Sequence, residues 1–398
     1  VVFVGSSALA CLKKPQKSLQ MPQTFAPIPE LLAELAAGRM ILLVDGQVVD
    51  GEVREDEGDF VMAAQHVTAE AITMMTRYAS GIITVPMTDS RLRHLQLDLM
   101  VPDNRESFQT AFTVTVDAKD GITTGSSADD RVRTIRLLAD PATEPQALVR
   151  PGHVNPLLAR TGGVLVRAGH TEAGVDLVRL AGLQPCAVIC EIMNDHGQMA
   201  NLPELRQLAS QLGLKLGRIA DLIAYRLTHE SLVEQVAEQP LHSHFSGDFR
   251  LLTFRALTDG QQHLVLVKGD VRHSDQPVLV RMHSLNLFSD LLGGHFEGGE
   301  ADGLRRAMQI LDQQGSGVLV LLHGGCDFDG GFAQMILPKN GAEATPQRAK
   351  PVLRRYGIGA QILKTLGLHQ IVLLTNHPKT IVGLDGFGLQ VTAFREFS

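Results

Sequence analysis

The chain has 398 residues, a net charge of −7, 44% hydrophobic residues, no tryptophan and only three tyrosines. That length accommodates about two domains, each with enough apolar content for its own core. An acidic balance without a basic stripe excludes nucleic acid as a partner, and no apolar run is long enough to cross a bilayer as a helix.

Residues 1–25 read as an N-terminal extension without fixed packing. They carry Val-Val-Phe-Val and then Lys13-Lys14-Pro15, with no charged region ahead of the apolar part as a secretory signal has, and Met21 reads as the true start. The acidic run Arg54-Glu55-Asp56-Glu57-Gly58-Asp59 then leads directly into apolar Phe60-Val61-Met62-Ala63-Ala64. In an extended backbone Glu55, Glu57 and Asp59 point the same way, and three such charges raise one another's pKa unless a cation lies among them. A solvated turn is the plainer reading of an acidic run taken alone.

The next segments change that balance. Two further segments are Ile82-Ile83-Thr84-Val85-Pro86 and Asp117 to Arg131, the latter including Gly121-Ile122-Thr123-Thr124-Gly125-Ser126-Ser127-Ala128-Asp129-Asp130-Arg131. Arg150-Pro151-Gly152-His153-Val154-Asn155-Pro156 reads as a turn carrying a histidine. Val164-Leu165-Val166 is expected to be a strand that delivers Arg167-Ala168-Gly169-His170-Thr171-Glu172 at its end. There the arginine fork and Thr171 suit a phosphate, and His170 suits a carboxylate-rich metal site. Ala187-Val188-Ile189 is a further apolar run, ending near Glu191.

Together these motifs, over roughly residues 26–229, resemble 3,4-dihydroxy-2-butanone 4-phosphate synthase of riboflavin biosynthesis, and they fall in that family's order. The resemblance implies an α+β domain with helices around a mixed sheet, converting ribulose 5-phosphate to 3,4-dihydroxy-2-butanone 4-phosphate and formate. It further implies magnesium or manganese held by Glu55 and His170, with His153 and Glu191 as the catalytic acid/base groups. Substrate would be held by Arg54, Glu55, Asp59, Arg167, Ala168, Gly169, His170, Thr171 and Glu191, with Glu57, Thr124 and Ser126 as accessory positions. A homodimer with its active sites near the subunit boundary is also implied. The family's acidic loop before the Arg-Glu pair is lengthened here to Gln47–Val53, with Gly46 and Gly51 as pivots of a lid, and Thr84 stands where many relatives carry cysteine.

Leu205 to Tyr225 has apolar residues at helical spacing, and residues 230–244 are expected to be a linker. Residues 245–398 contain strand-like Leu264–Asp270 and Val278–Ser284 and resemble GTP cyclohydrolase II, an α/β domain often fused to the synthase. That family needs a zinc ion held by three cysteines after its His-Ser pair, whereas His283-Ser284 is followed by Leu285-Asn286-Leu287-Phe288 with no cysteine through Glu300. No zinc is therefore expected, and the domain reads as a regulatory or structural one that has lost its chemistry. The alternative is a bifunctional enzyme that still opens GTP. The four cysteines, Cys11, Cys186, Cys190 and Cys326, form no C-x-x-C pair, which fits thiols in a reducing cytoplasm.

Overall fold

The computed structural model describes residues 24–45, 47–49, 52–54, 57–106, 110–272, 274, 276–285, 290, 303–323, 350–376 and 389–396. The readings made on residues 1–23, on Glu55, on Cys326, on the loop glycines Gly46 and Gly51, and on the stretch that replaces the zinc cysteines lie outside these residues.

In chain order the first half contains α1 (Ile28–Ala36), β1 (Ile41–Val44), β2 (Gln47–Val49), β3 (Glu52–Arg54), β4 (Gly58–Ala63), α2 (Ala69–Tyr78), β5 (Thr84–Met87), α3 (Asp89–His94) and β6 (Val116–Ala118). There follow α4 (Ala128–Ala139), β7 (Leu148–Leu158), α5 (His170–Leu180), β8 (Ala187–Glu191), α6 (Leu202–Leu212), β9 (Leu216–Arg218) and α7 (Ile219–His229). Seven of these strands form one mixed sheet in the order β6-β7-β5-β8-β4-β1-β9. Alternate residues of one strand face opposite ways, so Leu42, Phe60 and Val188 join the core against α2, α4 and α6. Leu43, Val61 and Ile189 join the other core, against α1, α5 and α7. Burial on both faces explains why these strands read as unbroken apolar runs rather than as alternating ones.

Helix ends follow local chemistry. Thr68 caps α2 by accepting from Ala71 N–H, Ser127 caps α4 by accepting from Asp130 N–H, and Asn201 with Glu204 makes a reciprocal capping box on α6. The lengthened loop expected as a lid contains the antiparallel pair β2–β3, with Val48 opposite Val53.

The second half contains β10 (Val233–Ser243), β11 (Gly247–Ala256), β12 (Gln262–Lys268), β13 (Val278–Ser284), α8 (Gly303–Gln314), β14 (Gly317–Leu322), α9 (Lys350–Thr365), β15 (Gln370–Leu374) and β16 (Gln390–Arg395). Its seven strands run β10-β11-β12-β14-β13-β15-β16, antiparallel on the first side and parallel on the second. The stretch expected as a linker is corrected here: Val233–Ser243 is an edge strand paired with β11 from Val233–Ala256 to Ser243–Gly247. Pro240 is tolerated because an edge strand has one row of N–H groups that no neighbour needs.

The two halves share packing. Leu165, Ile223 and Leu227 of the first half pack in the same core as Leu232, Phe254, Ile358 and Ile362. Gln361 on α9 is buried, and it donates to the carbonyls of Leu227 (2.6 Å) and Glu230 (2.8 Å) while accepting from Leu232 N–H (2.6 Å).

Candidate active site

Strand pairing brings the acidic cluster together. β4 and β8 are antiparallel with Asp59 opposite Glu191, and Leu43 of β1 lies opposite Asp59 on the other side. His170, the first residue of α5, reaches this point: its Nε2 is 3.1 Å from Leu43 O and its Nδ1 is 3.6 Å from Asp59 Oδ1. A carbonyl only accepts, so Nε2 carries the proton and Nδ1 presents its lone pair to the carboxylate. Burial pushes Asp59 well above the ordinary carboxylate range, and the charges of Glu191, Glu57 and Asp45 push the same way. Burial also holds His170 below its ordinary value, against those same charges.

These features fit a divalent cation. Asp59 Oδ1 is buried with no hydrogen-bond partner 3.6 Å from His170 Nδ1, and an unsatisfied buried oxygen beside an imidazole nitrogen suits a hard metal or a hydroxyl held by one. Among the described residues no three histidine, cysteine or carboxylate side chains converge on one ligand point. Glu55, the other ligand expected, lies outside the described residues. Glu57 is exposed at the start of β4, whereas Asp59 is buried.

Glu191 is held in place by the backbone. Its Oε2 accepts from Ile82 N–H at 2.9 Å, and the chain reaches that position because Ser80 adopts a left-handed φ of 64°. Gly81 packs so tightly on Glu191 that an added Cβ would overlap its carbonyl and its carboxylate. Neither Ser80 nor Gly81 stood out in the sequence.

His153 lies on a bulge. Val116 pairs with Val154 while the next residue, Asp117, pairs with Val149, so residues 150–153 are extra on β7. The segment read as a turn is therefore part of an eleven-residue strand. The bulge turns His153 onto Asp117, whose Oδ2 is 2.7 Å from Nδ1 and whose Oδ1 accepts from His153 N–H at 2.9 Å. The carboxylate thus places the proton on Nδ1 and leaves Nε2 as the basic nitrogen. Asp117 opens the Asp117–Arg131 stretch that carries the family resemblance, which gives it no role of its own.

The loop with Thr124 and Ser126 covers this pair. Both side chains are exposed, their hydroxyls 3.1 Å apart, and Gly125 between them has φ 88° with no room for a Cβ above Asp117 Oδ2 and His153 Nδ1. Asp130 shapes the loop by accepting from Thr123 Oγ1 (2.7 Å), Thr123 N–H (3.0 Å) and Gly125 N–H (3.1 Å). Those bonds, the Thr123 hydroxyl first, lower its pKa to about 2.

The segment 167–171 starts α5. Val164–Val166, expected as a strand, is instead covered by a short 3₁₀ turn, Gly163–Leu165. Gly162 and Gly163 both take positive φ, and the Asp176 carboxylate accepts from Val164 N–H at 2.8 Å. Arg167 is committed to Glu172 (2.7 Å) and Thr110 (3.2 Å). Gly169 precedes the helix without a side-chain cap, Ala168 packs on the core, and Thr171 is buried in the first turn. Uncapped N–H groups at a helix start suit an anionic oxygen.

Beside His153 opens a cavity of about 390 Å³ between the end of α2, the start of α4 and β7, lined by Thr76, Ser80, Arg131, His153 and Asn155 among others. Cys190 beneath the acid cluster is held up to about 12, chiefly by burial and then by Asp59 and Glu191. Among the described residues no helix is long and apolar enough to cross a membrane.

Comparison with known proteins gives the family of each half. The family model for 3,4-dihydroxy-2-butanone 4-phosphate synthase matches residues 29–225, and that for GTP cyclohydrolase II matches residues 234–396. The chain is 46% identical over 380 residues to the riboflavin biosynthesis protein RibBA of Synechocystis, covering 92% of this chain and 66% of that one. It is 44% identical over 393 residues to a probable bifunctional riboflavin biosynthesis protein, RIBA 2, of Oryza sativa subsp. japonica, covering 95% of this chain and 69% of that one. The crystal structure of RibBX, a two-domain 3,4-dihydroxy-2-butanone 4-phosphate synthase from A. baumannii, superposes with a TM-score of 0.75 at 35% identity, covering 94% of this chain and all of that one. The chain belongs to the 3,4-dihydroxy-2-butanone 4-phosphate synthase family of enzymes, with a GTP cyclohydrolase II family domain in its second half.

Proposed function

We propose that the first half converts ribulose 5-phosphate to 3,4-dihydroxy-2-butanone 4-phosphate and formate at the site built from β4, β8, the start of α5 and the β7 bulge. The observation that carries this reading is the convergence of Asp59, Glu191 and His170 at one end of the sheet, while Asp117 presents His153 as a base. A magnesium or manganese ion bound by His170 Nδ1, Glu55 and water would stabilise negative charge on adjacent sugar oxygens. His153 Nε2 takes up or returns a proton, with Asp117 stabilising the imidazolium that results. Glu191, oriented by Ile82 N–H, is the second proton-transferring group. Asp59 and Arg54 hold sugar hydroxyls, and the start of α5 with Arg167 and Thr171 receives the phosphate. For that, Arg167 keeps Glu172 as its orienting partner and offers its remaining N–H groups.

A homodimer is part of the same proposal. Tyr78 and Ile82 flank the cavity with half their surface exposed, 47% and 55%, which suits burial against a second copy.

The names of the relatives favour a second reading, in which residues 245–398 also open GTP. The residues of this chain oppose it. Only Cys326 of the four cysteines falls in that half, and a zinc site of three cysteines cannot be assembled from one. The domain would then serve the synthase through the shared core.

One preparation tests both readings. Ribulose 5-phosphate should yield formate, chelation should stop the reaction and magnesium should restore it, with no zinc and no formate from GTP. Absence of turnover with ribulose 5-phosphate and magnesium would sink the first reading; stoichiometric zinc with GTP turnover would establish the second.

A further inference from the structure

Arg131 has no part in the roles assigned above, yet its surroundings call for an anion. It belongs to the first turn of α4, where Ser127 accepts its backbone N–H through its carbonyl at 3.0 Å. Its neighbour Asp130 turns away to hold Thr123 and Gly125. The side chain of Arg131 lines the 390 Å³ cavity together with His153, Asn155, Ser80 and Thr76, and it is the only cationic group among the described residues that do so. Its Nε is buried and has no hydrogen-bond acceptor.

Burial of an unpaired guanidinium nitrogen costs free energy, because its N–H has left water without finding an oxygen. The other arginines near the site are not in this condition: Arg167 has Glu172, and Arg136 donates twice to Val67 O. Among the described residues none accepts from the Arg131 Nε. Asn155 spends one N–H on Ile83 O at 3.3 Å and Thr76 donates its hydroxyl to Ile72 O at 2.9 Å, so both are fixed in orientation while the cavity between them stays open. Planar, forked donors match a carboxylate best.

We infer that the cavity beside His153 is a subsite for a small carboxylate anion, held by Arg131 with Asn155 at its edge. The inference rests on the proposed reaction for the identity of its occupant, since that reaction releases formate, but not for its existence. Formate leaving toward Arg131 passes beside His153, so the subsite would hold the one-carbon fragment after cleavage, apart from the phosphate at the start of α5. Formate should therefore inhibit at this subsite while inorganic phosphate does not compete with it.

The test uses the full chain with magnesium, sodium formate as the probe, and the variants Arg131→Met and Arg131→Lys. Binding of ¹³C-formate, read by the broadening of its NMR line, should weaken roughly tenfold or more in Arg131→Met, the loss expected for a charge-assisted bond. Arg131→Lys, which keeps the charge and loses the fork, should fall between. Inhibition of turnover by formate should weaken in the same order. Wild-type formate binding in both variants, or formate displaced by inorganic phosphate, overturns the inference. Should Arg131→Met fail to fold, Arg131→Lys decides alone: unchanged formate binding refutes the fork. Failure of the proposed reaction shows separately, as no turnover in a wild-type chain whose formate binding still depends on Arg131.

Discussion

Asp117 holds His153 at two points, its Oδ2 at 2.7 Å from the ring Nδ1 and its Oδ1 accepting the backbone N–H at 2.9 Å. The carboxylate side of the pair is buried, whereas the His153 ring is half exposed. Replacing Asp117 with asparagine keeps the shape but turns a charged acceptor into an amide that can donate to Nδ1. The histidine would then carry its proton on the wrong nitrogen. Formate release from ribulose 5-phosphate should fall on the order of 10²–10⁴-fold with circular dichroism and thermal midpoint little changed. Near-wild-type kcat in Asp117→Asn would show that the pair is structural only.

Gly125 makes a second, steric prediction about the same pair. Its φ of 88° and the overlap of any Cβ with Asp117 Oδ2 and His153 Nδ1 leave no tolerance for alanine. Gly125→Ala should cost about 1–2 kcal/mol from backbone strain alone. It should also displace the imidazole, lowering kcat more than it raises KM. Chemical unfolding and steady-state kinetics on the same sample check both; an unperturbed kcat would mean the loop stands away from His153 in the working enzyme.

How much of this was legible in the sequence differs by residue. The apolar runs Phe60–Ala63 and Ala187–Ile189 are legible and prove to be buried strand, because their apolar character is local. His153, Glu191, Asp59 and His170 could be named from motifs, and the structure brings Asp59, Glu191 and His170 to one place. The pairing of Asp117 with His153 could not be read, because it depends on a bulge that slips the register by four residues against a segment 36 positions away. The expected strand at 164–166 failed because two left-handed glycines and a distant carboxylate, Asp176, outweigh the β-propensity of valine. The expected linker failed for a different reason: an edge strand exposed on most of its residues has no apolar alternation to show.

Asp130 gives a prediction in pH. Its pKa, lowered to about 2 by Thr123 and Gly125 from an ordinary 3.8, means that its ionised form favours the folded state. That stabilisation is complete above the unfolded value and disappears as pH falls through the folded one. Urea unfolding of wild type and Asp130→Asn should therefore show a gap at neutral pH that closes from about 3.8 down to about 2. A gap of constant size across that window would assign the difference to packing instead.

Arg226 ties the turn before α5 to the end of the first half. It is buried, and its Nη1 donates to Gly162 O at 2.8 Å and to Asp176 Oδ2 at 2.7 Å, while the other edge of the guanidinium meets Glu230 at 2.7 Å. Burial alone would lower its pKa, but Glu230 and Asp176 outweigh it and keep the guanidinium charged. Asp176 Oδ2 also accepts from Val164 N–H, so one carboxylate fixes the turn that leads into Arg167 and His170. The same turn is closed from the other side, where a Cβ on Gly162 would overlap Thr258 O of the second half. Arg226→Met should therefore cost about 3–5 kcal/mol, because Asp176 stays buried without its partner, and Arg226→Met with Asp176→Leu should recover part of it. The single variant should also raise KM for ribulose 5-phosphate more than it lowers kcat, since the segment Arg167–Thr171, proposed to receive the phosphate, moves while His153 does not. If stability falls and KM stays put, the second half supports the fold without reaching the site.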